Sequence, residues 1–304
     1  MIHQKNNKTL IVIAGPTGVG KTSIALKLAA RLQCHIFSAD SRQIYQELNI
    51  GTAKPNQSEL ESVPHHFINE LSITENYNVK KYEEDIISSL NQYYQNHQVA
   101  ILCGGTGLYI KAALYGLDHI PDIPEELVES LEQKLISHGL DFLTKELMDI
   151  DPLSKGQIDL QNPRRVIRAL AVVKHTGKPI SLFKTGEQRI RNFTPIKILL
   201  HRNREELYNR INERVLEMLE EGLLEEVRKL HTFKDLPSMQ TVGYQELISY
   251  LDGKVGYEEA VRLIKRNSRR YAKRQITWFN NQDTWKVFHP DEENNILSYI
   301  TSQL

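Results

Sequence analysis

The chain has 304 residues, enough for one large domain or two ordinary ones, with 40% hydrophobic and 25% charged residues, an ordinary soluble globular composition. Lys+Arg and Asp+Glu are both 38, so net charge gives no reason to expect a nucleic-acid partner and any basic surface must be local. The polar start Met1 to Lys8 lacks the apolar core of a secretion signal, and no stretch approaches membrane-spanning length; a soluble, cytoplasmic, monomeric protein with no membrane partner is expected.

Leu10-Ile11-Val12-Ile13-Ala14 reads as a buried strand and Ser23 to Leu32 as a helix with an apolar face. Between them lies Gly15-Pro16-Thr17-Gly18-Val19-Gly20-Lys21-Thr22, a gapless match to G-x-x-x-x-G-K-[ST]. Glycines let backbone amides close around phosphate oxygens, and the helix N-terminus adds positive potential. Lys21 supplies a point charge and Thr22 a hydroxyl for Mg²⁺. A ligand carrying a diphosphate or triphosphate is expected here.

The run 34–39 reads as the second strand, so Asp40 falls at its carboxyl end beside the phosphate loop. A carboxylate there can take a proton from a nucleophile, or can cap the segment that follows. His65-His66 has no third ligand at a helpful spacing, which argues for a structural or RNA-facing role over a metal. A helix is predicted over 79–95 and a strand over 98–103. That strand ends in Gly104-Gly105-Thr106, where a P-loop ATPase would place a Mg²⁺-binding aspartate, so ordinary ATP hydrolysis is disfavoured. Cys34 and Cys103 lie in apolar runs that read as core strands, as expected of reduced, buried thiols.

From Pro121 the pattern turns helical, with Asn162-Pro163 as a cap and first turn and Thr176-Gly177-Lys178-Pro179 as a stop. Residues 121–190 are read as a helical insertion domain within a core made of 1–120 and 191–304. The fold class is thus α/β: a P-loop NTPase-like parallel sheet with a helical insertion and a helical C-terminal region. A strand over 195–200 returns the chain to the core. On the helix predicted from Arg204 to Glu221, Leu207, Ile211, Val215 and Met218 form the apolar stripe, and Arg214 falls inside it. A cation there needs an anion: a core carboxylate or a ligand phosphate. Residues 262–274 hold Arg262, Lys265, Arg266, Arg269, Arg270, Lys273 and Arg274 without an acid. Arg262, Arg266, Arg269 and Lys273 fall within about 60° of arc on a helix, a stripe suited to a polyanion.

With these anchors placed, the chain closely resembles the bacterial tRNA dimethylallyltransferases, also called tRNA isopentenyltransferases. The matching strings are the phosphate loop, Asp40-Ser41-Arg42-Gln43-Ile44-Tyr45, Ile50-Gly51-Thr52-Ala53-Lys54-Pro55, Gly104-Gly105-Thr106-Gly107-Leu108-Tyr109, Asn162-Pro163-Arg164-Arg165-Val166-Ile167-Arg168, Val242-Gly243-Tyr244 and Lys273-Arg274-Gln275-Ile276-Thr277-Trp278. One departure is mild: Gly18-Val19 stands where many members have Ala-Ser. The resemblance implies transfer of a dimethylallyl group from dimethylallyl diphosphate to the exocyclic amine of the adenosine 3′ of the tRNA anticodon. It implies Asp40 as base, Thr106 as an orienting hydroxyl, and Lys21, Thr22 with Mg²⁺, Arg165 and Arg214 around the departing pyrophosphate. The anticodon stem-loop is expected against Asp40, Ser41, Arg42, Gln43 and Thr106. Arg164, Arg165, Val166, Ile167 and Arg168 are expected to join them, as are Gln240, Thr241, Val242, Gly243, Tyr244 and Gln245, and Arg266, Arg269, Lys273 and Arg274. Competing readings are a small-molecule kinase, which needs ATP, a transferase acting on free AMP, and a P-loop switch that binds RNA without turnover.

Overall fold

Thr9–Ala14 (β1) is wholly buried, which a strand achieves only when both faces of its sheet are covered. The computed structural model of the protein describes residues 8–304. In chain order β1 is followed by α1 (Lys21–Leu32), β2 (Ile36–Ser38), α2 (Gln57–Ser62), β3 (His65–His66), α3 (Val79–Tyr93), β4 (Val99–Gly104) and α4 (Gly107–Tyr115). Then come α5 (Glu125–His138), α6 (Leu140–Ile150) and α7 (Pro163–Thr176). The chain continues through β5 (Thr194–Leu200), α8 (Arg204–Glu220), α9 (Leu223–Lys229), α10 (Tyr244–Leu251), α11 (Tyr257–Gln282), β6 (Lys286–Phe288) and α12 (Glu293–Thr301).

The strands form one parallel sheet in the order β3-β2-β4-β1-β5-β6, with Thr9 opposite both Val99 and Thr194. The parallel direction places the segments after β1, β2 and β4 along one edge, where ligands bind in such sheets. The predicted strands and the helix at 21–32 are present. The edge strands β3 and β6 were not predicted, because two or three residues are too few to display a period.

Two units divide the chain. One contains the described residues up to Leu114 together with Ile190–Leu304, and the other is Tyr115–Arg189. The first carries the sheet, cored by residues such as Ile11, Ile13, Leu28, Ile101, Ile198 and Ile211. The second packs α5, α6 and α7 around Leu131, Leu143, Leu147, Val166 and Leu170. Helix α7 starts and stops as its sequence dictates: Asn162 Oδ1 accepts the Arg165 N–H at 3.3 Å, and Gly177 closes it with φ 68°.

His66 is a packing residue. Its ring stacks on Phe37 with centroids 4.3 Å apart, and its Nε2 lies 3.0 Å from His35 Nδ1. Burial, reinforced by His35 and His65, lowers its pKa to about 4, so the ring is neutral. Among the described residues no group of three or more His, Cys, Asp or Glu side chains could hold a metal ion, and no helix is long and apolar enough to cross a membrane. Both cysteines are free, but only Cys34 is fully buried. Cys103, in β4, is half-buried and packs against the core, and burial pushes its thiol up to about 11, with the Lys21 charge opposing.

Candidate active site

Backbone hydrogen bonds bring the ends of β2 and β4 together. Ala39 N–H donates to Cys103 O at 2.8 Å, and Thr106 N–H donates to Ala39 O at 3.1 Å. Gly104 has no side chain because a Cβ there would run into the Ala39 backbone. The phosphate loop after β1 lies next to this turn, and its glycines at 15, 18 and 20 have φ of 155°, 82° and 108°, a region L side chains avoid.

The loop is clamped from the β5–α8 side. Arg202, only 8% exposed, donates from Nε to Val19 O at 2.9 Å, and Arg210 Nε donates to Gly18 O at 3.1 Å. The predicted stripe Leu207, Ile211, Val215 and Met218 is the buried face of α8. Arg214 is half-buried beside it and donates to Thr17 Oγ1. Among the described residues it pairs with no carboxylate. Lys21 Nζ donates to Pro16 O at 2.9 Å. Burial lowers the Lys21 pKa to about 8, opposed by Cys103 and Asp40 and assisted by Arg214. Arg214 is lowered by burial too, and Asp40 opposes that shift. Lys21, Arg214 and Asp40 therefore share one electrostatic neighbourhood.

Asp40 fills the capping role considered from sequence and keeps one oxygen free for the other. Its Oδ1 accepts the N–H groups of Arg42 at 2.9 Å and Gln43 at 3.4 Å, capping the turn that follows, while among the described residues nothing donates to Oδ2. The carboxylate is fixed in orientation with one oxygen available. Thr106 Oγ1 accepts Ser41 N–H at 3.1 Å, so the hydroxyl is fastened to the Asp40 turn. Tyr271, on α11, was not singled out as a site residue, yet it belongs here: burial and the Asp40 charge raise its phenol to about 12, and a hydrogen bond with Thr106 opposes this. Thr22 Oγ1 has no partner among the described residues and is half-buried at the start of α1. A single hydroxyl suits Mg²⁺, which keeps several waters and takes its other oxygens from a diphosphate.

Ile50-Gly51-Thr52-Ala53-Lys54-Pro55 is held by a partner the sequence did not suggest. The Glu226 carboxylate on α9 accepts the N–H groups of Asn49, Ile50 and Gly51 at 3.0–3.2 Å and the Tyr244 hydroxyl at 2.6 Å. Gly51 faces the Tyr244 ring, leaving no room for a Cβ. Gln43 Nε2 donates to Thr52 O and Ala53 O, both at 3.2 Å, so its amide is committed to this turn.

Several residues expected at RNA sit elsewhere. Tyr244 and Val166 are 0% exposed and Ile167 is 6% exposed, so their side chains cannot reach RNA; Gly243 is buried as well. Tyr244, Val166 and Ile167 lie on the buried faces of their helices, which the motif string could not separate from exposed neighbours. Gln240 and Gln245 are exposed and bonded to each other at 2.9 Å, with Thr241 and Val242 half-buried. Arg164, Arg165 and Arg168 are exposed on α7 of the second unit. On α11 the stripe is less bare than its sequence suggested. Arg262 is paired with Glu259 through two 2.6 Å bonds, and Arg269 donates to Asn212 at 2.5 Å. Arg266 is half-buried, and Lys273 and Arg274 are exposed.

With this geometry in place, comparison with known proteins is informative. Residues 43–282 match the family model described as IPP transferase. A tRNA dimethylallyltransferase of Cytophaga hutchinsonii is 47% identical over 298 residues, covering 98% of each chain. A tRNA dimethylallyltransferase of Bacteroides fragilis is 45% identical over 98% of this chain and 99% of its own. Among solved structures, the tRNA isopentenylpyrophosphate transferase of Bacillus halodurans is 38% identical with a TM-score of 0.70, covering 97% of this chain and 96% of that one. A eukaryotic dimethylallyltransferase acting on tRNA is 28% identical with a TM-score of 0.75, over 90% of this chain and 70% of that one. The six-stranded parallel sheet, the phosphate loop after its β1 and a family match across most of the chain agree, and this protein belongs to the IPP transferase family.

Proposed function

We propose that this protein transfers a dimethylallyl group from dimethylallyl diphosphate to the exocyclic amine of the adenosine immediately 3′ of the anticodon in tRNA, acting as a monomer in the cytoplasm. The observation that carries the reading is the meeting of a free carboxylate oxygen on Asp40 with the cations Lys21 and Arg214 at the phosphate loop, beside a β4 end that carries Gly104-Gly105-Thr106 in place of an aspartate.

The adenine amine is a weak nucleophile because its lone pair is delocalised into the ring. As its nitrogen bonds to the allylic carbon, the carbon–oxygen bond breaks and its electron pair leaves with the pyrophosphate. Asp40 Oδ2 receives the amine proton while Oδ1 keeps the carboxylate in place. Lys21 and Arg214 stabilise the charge that accumulates on the leaving group. Thr22 would hold a Mg²⁺ ion, which when bound neutralises diphosphate charge. Thr106 and Ser41 border the position of the amine, and the base leaves its stack to arrive there. Arg42, Arg266, Arg269, Lys273 and Arg274 offer cations to the anticodon stem-loop, as do Arg164, Arg165 and Arg168 on the second unit; Gln240 and Gln245 offer amides.

The reading is tested by incubating the protein with labelled dimethylallyl diphosphate and, separately, with labelled ATP, each with tRNA or AMP as acceptor. Label is expected in tRNA from the prenyl donor alone. Label in AMP, or phosphoryl transfer from ATP, contradicts it.

Two further results are expected. Lys21 loses its charge as pH rises through about 8, so kcat/KM for dimethylallyl diphosphate should fall on that side, since this ratio reports the free enzyme. A wild-type profile that stays flat across that range contradicts the role given to Lys21. Reversing the charges of Arg266 and Lys273 should weaken tRNA binding and reduce the magnitude of its log–log salt slope by about 0.7–0.9 per lost phosphate contact. Binding titrations at several salt concentrations check this, and an unchanged slope in a folded variant would leave the stripe a solvated face.

A further inference from the structure

Helix α11 carries more than its basic stripe. On the opposite arc lie Tyr271, Gln275 and Trp278, spaced to share one face at 100° per residue. Gln275 is only 7% exposed. Its Oε1 accepts the Thr17 N–H of the phosphate loop at 2.8 Å, and its Nε2 donates to Gly105 O at 2.9 Å. A primary amide can accept at one loop and donate at the other simultaneously. We propose that Gln275 is a positioning residue for prenyl transfer, a strut that holds the phosphate loop and the Gly105-Thr106 turn in one register.

Three observations support a role beyond filling space. Thr17 is held twice, its N–H by Gln275 and its hydroxyl by Arg214, so the strut sets where the Arg214 guanidinium meets the loop. On its other side, Gly105 directly precedes Thr106, whose hydroxyl fastens the Asp40 turn through Ser41 N–H. A Cβ on Gly105 would occupy the place of Gln275 Nε2 and push the amide off Gly105 O, so the glycine leaves room for the strut. The diphosphate side and the acceptor side of the reaction are thus spaced by a single side chain, carried on the helix whose other face presents cations. This inference rests on the prenyl-transfer reading above.

The test uses the full-length protein with labelled dimethylallyl diphosphate and tRNA. Gln275→Met keeps the length of the side chain and removes both bonds; kcat/KM for dimethylallyl diphosphate should fall by about 10–100-fold, the scale of a displacement near 1 Å. The salt slope of tRNA binding should not change. Gln275→Glu supplies the sharper readout. A protonated carboxyl can accept from Thr17 N–H and donate to Gly105 O, as the amide does, whereas an ionised one repels Gly105 O and the diphosphate. Burial and the neighbouring Asp40 charge raise the pKa of a carboxyl at this position, while Lys21, which also faces Gly105, and Arg214 on Thr17 lower it. Where the group titrates, the activity of Gln275→Glu relative to wild type should rise as pH falls, while the ratio for Gln275→Met stays constant. If Gln275→Met fails to fold, the Gln275→Glu profile still decides. Wild-type activity in Gln275→Met, or in Gln275→Glu across the pH range, overturns the strut. Failure of the wild-type protein to label tRNA in the same assay overturns the prenyl-transfer reading instead.

Discussion

Asp40→Ala is expected to slow single-turnover transfer of the dimethylallyl group by about 10²–10⁴-fold, with little change in tRNA affinity. The magnitude follows from removing the only acceptor assigned to the amine proton, while the cations that bind diphosphate and RNA remain. Asp40 also caps the next turn through Oδ1, and loss of such a cap costs about 1 kcal/mol on its own. Asp40→Asn separates the two effects, since its amide oxygen can still accept from Arg42 and Gln43 while the group no longer takes a proton. Rapid-quench measurements of both variants should find them similarly slow. An asparagine variant that recovers the wild-type rate would make Asp40 a cap and not a base.

Arg214→Ala is expected to lower kcat/KM for dimethylallyl diphosphate by about 10²–10³-fold, the range seen when one preorganised donor to developing charge is removed. Arg214 pairs with no carboxylate among the described residues, and it touches the phosphate loop through Thr17. Its removal strands no buried anion, so the variant should fold. Steady-state kinetics beside a thermal melt distinguishes the alternatives. A protein that melts early while its folded fraction keeps normal kinetics would assign Arg214 to structure.

Much of the first unit was legible because its signals are local. A continuous apolar run before a glycine-rich loop marks β1, and the 3.6-residue period of Leu207, Ile211, Val215 and Met218 marks α8, although Arg214, read as inside that stripe, lies at its border. Asp40 was readable because a carboxylate directly after an apolar strand has few places to go. The residues that escaped notice act over long sequence separations. Gln275 meets Thr17 across 258 positions and Glu226 meets Ile50 across 176, and no periodicity within either segment encodes such a pairing. Gln275 did carry a faint signal, since it lies four residues after Tyr271 on the arc facing away from the basic stripe. Tyr244, Val166 and Ile167 went the other way: their strings were read as RNA contacts, but a contiguous helical string necessarily includes residues that face the core. Arg262 looked unpartnered only because Glu259 lies just before the window of cations.

The most direct measurement of the central claim, that one centre at the sheet edge joins a diphosphate leaving group to an amine on RNA, is the stoichiometry of a single turnover. Protein loaded with dimethylallyl diphosphate is mixed with excess tRNA, and released pyrophosphate and prenylated adenosine are quantified from the same quenched samples. Equal amounts rising at one rate, both suppressed together by Asp40→Asn, are expected. Pyrophosphate released without matching prenylated adenosine in tRNA would contradict the claim.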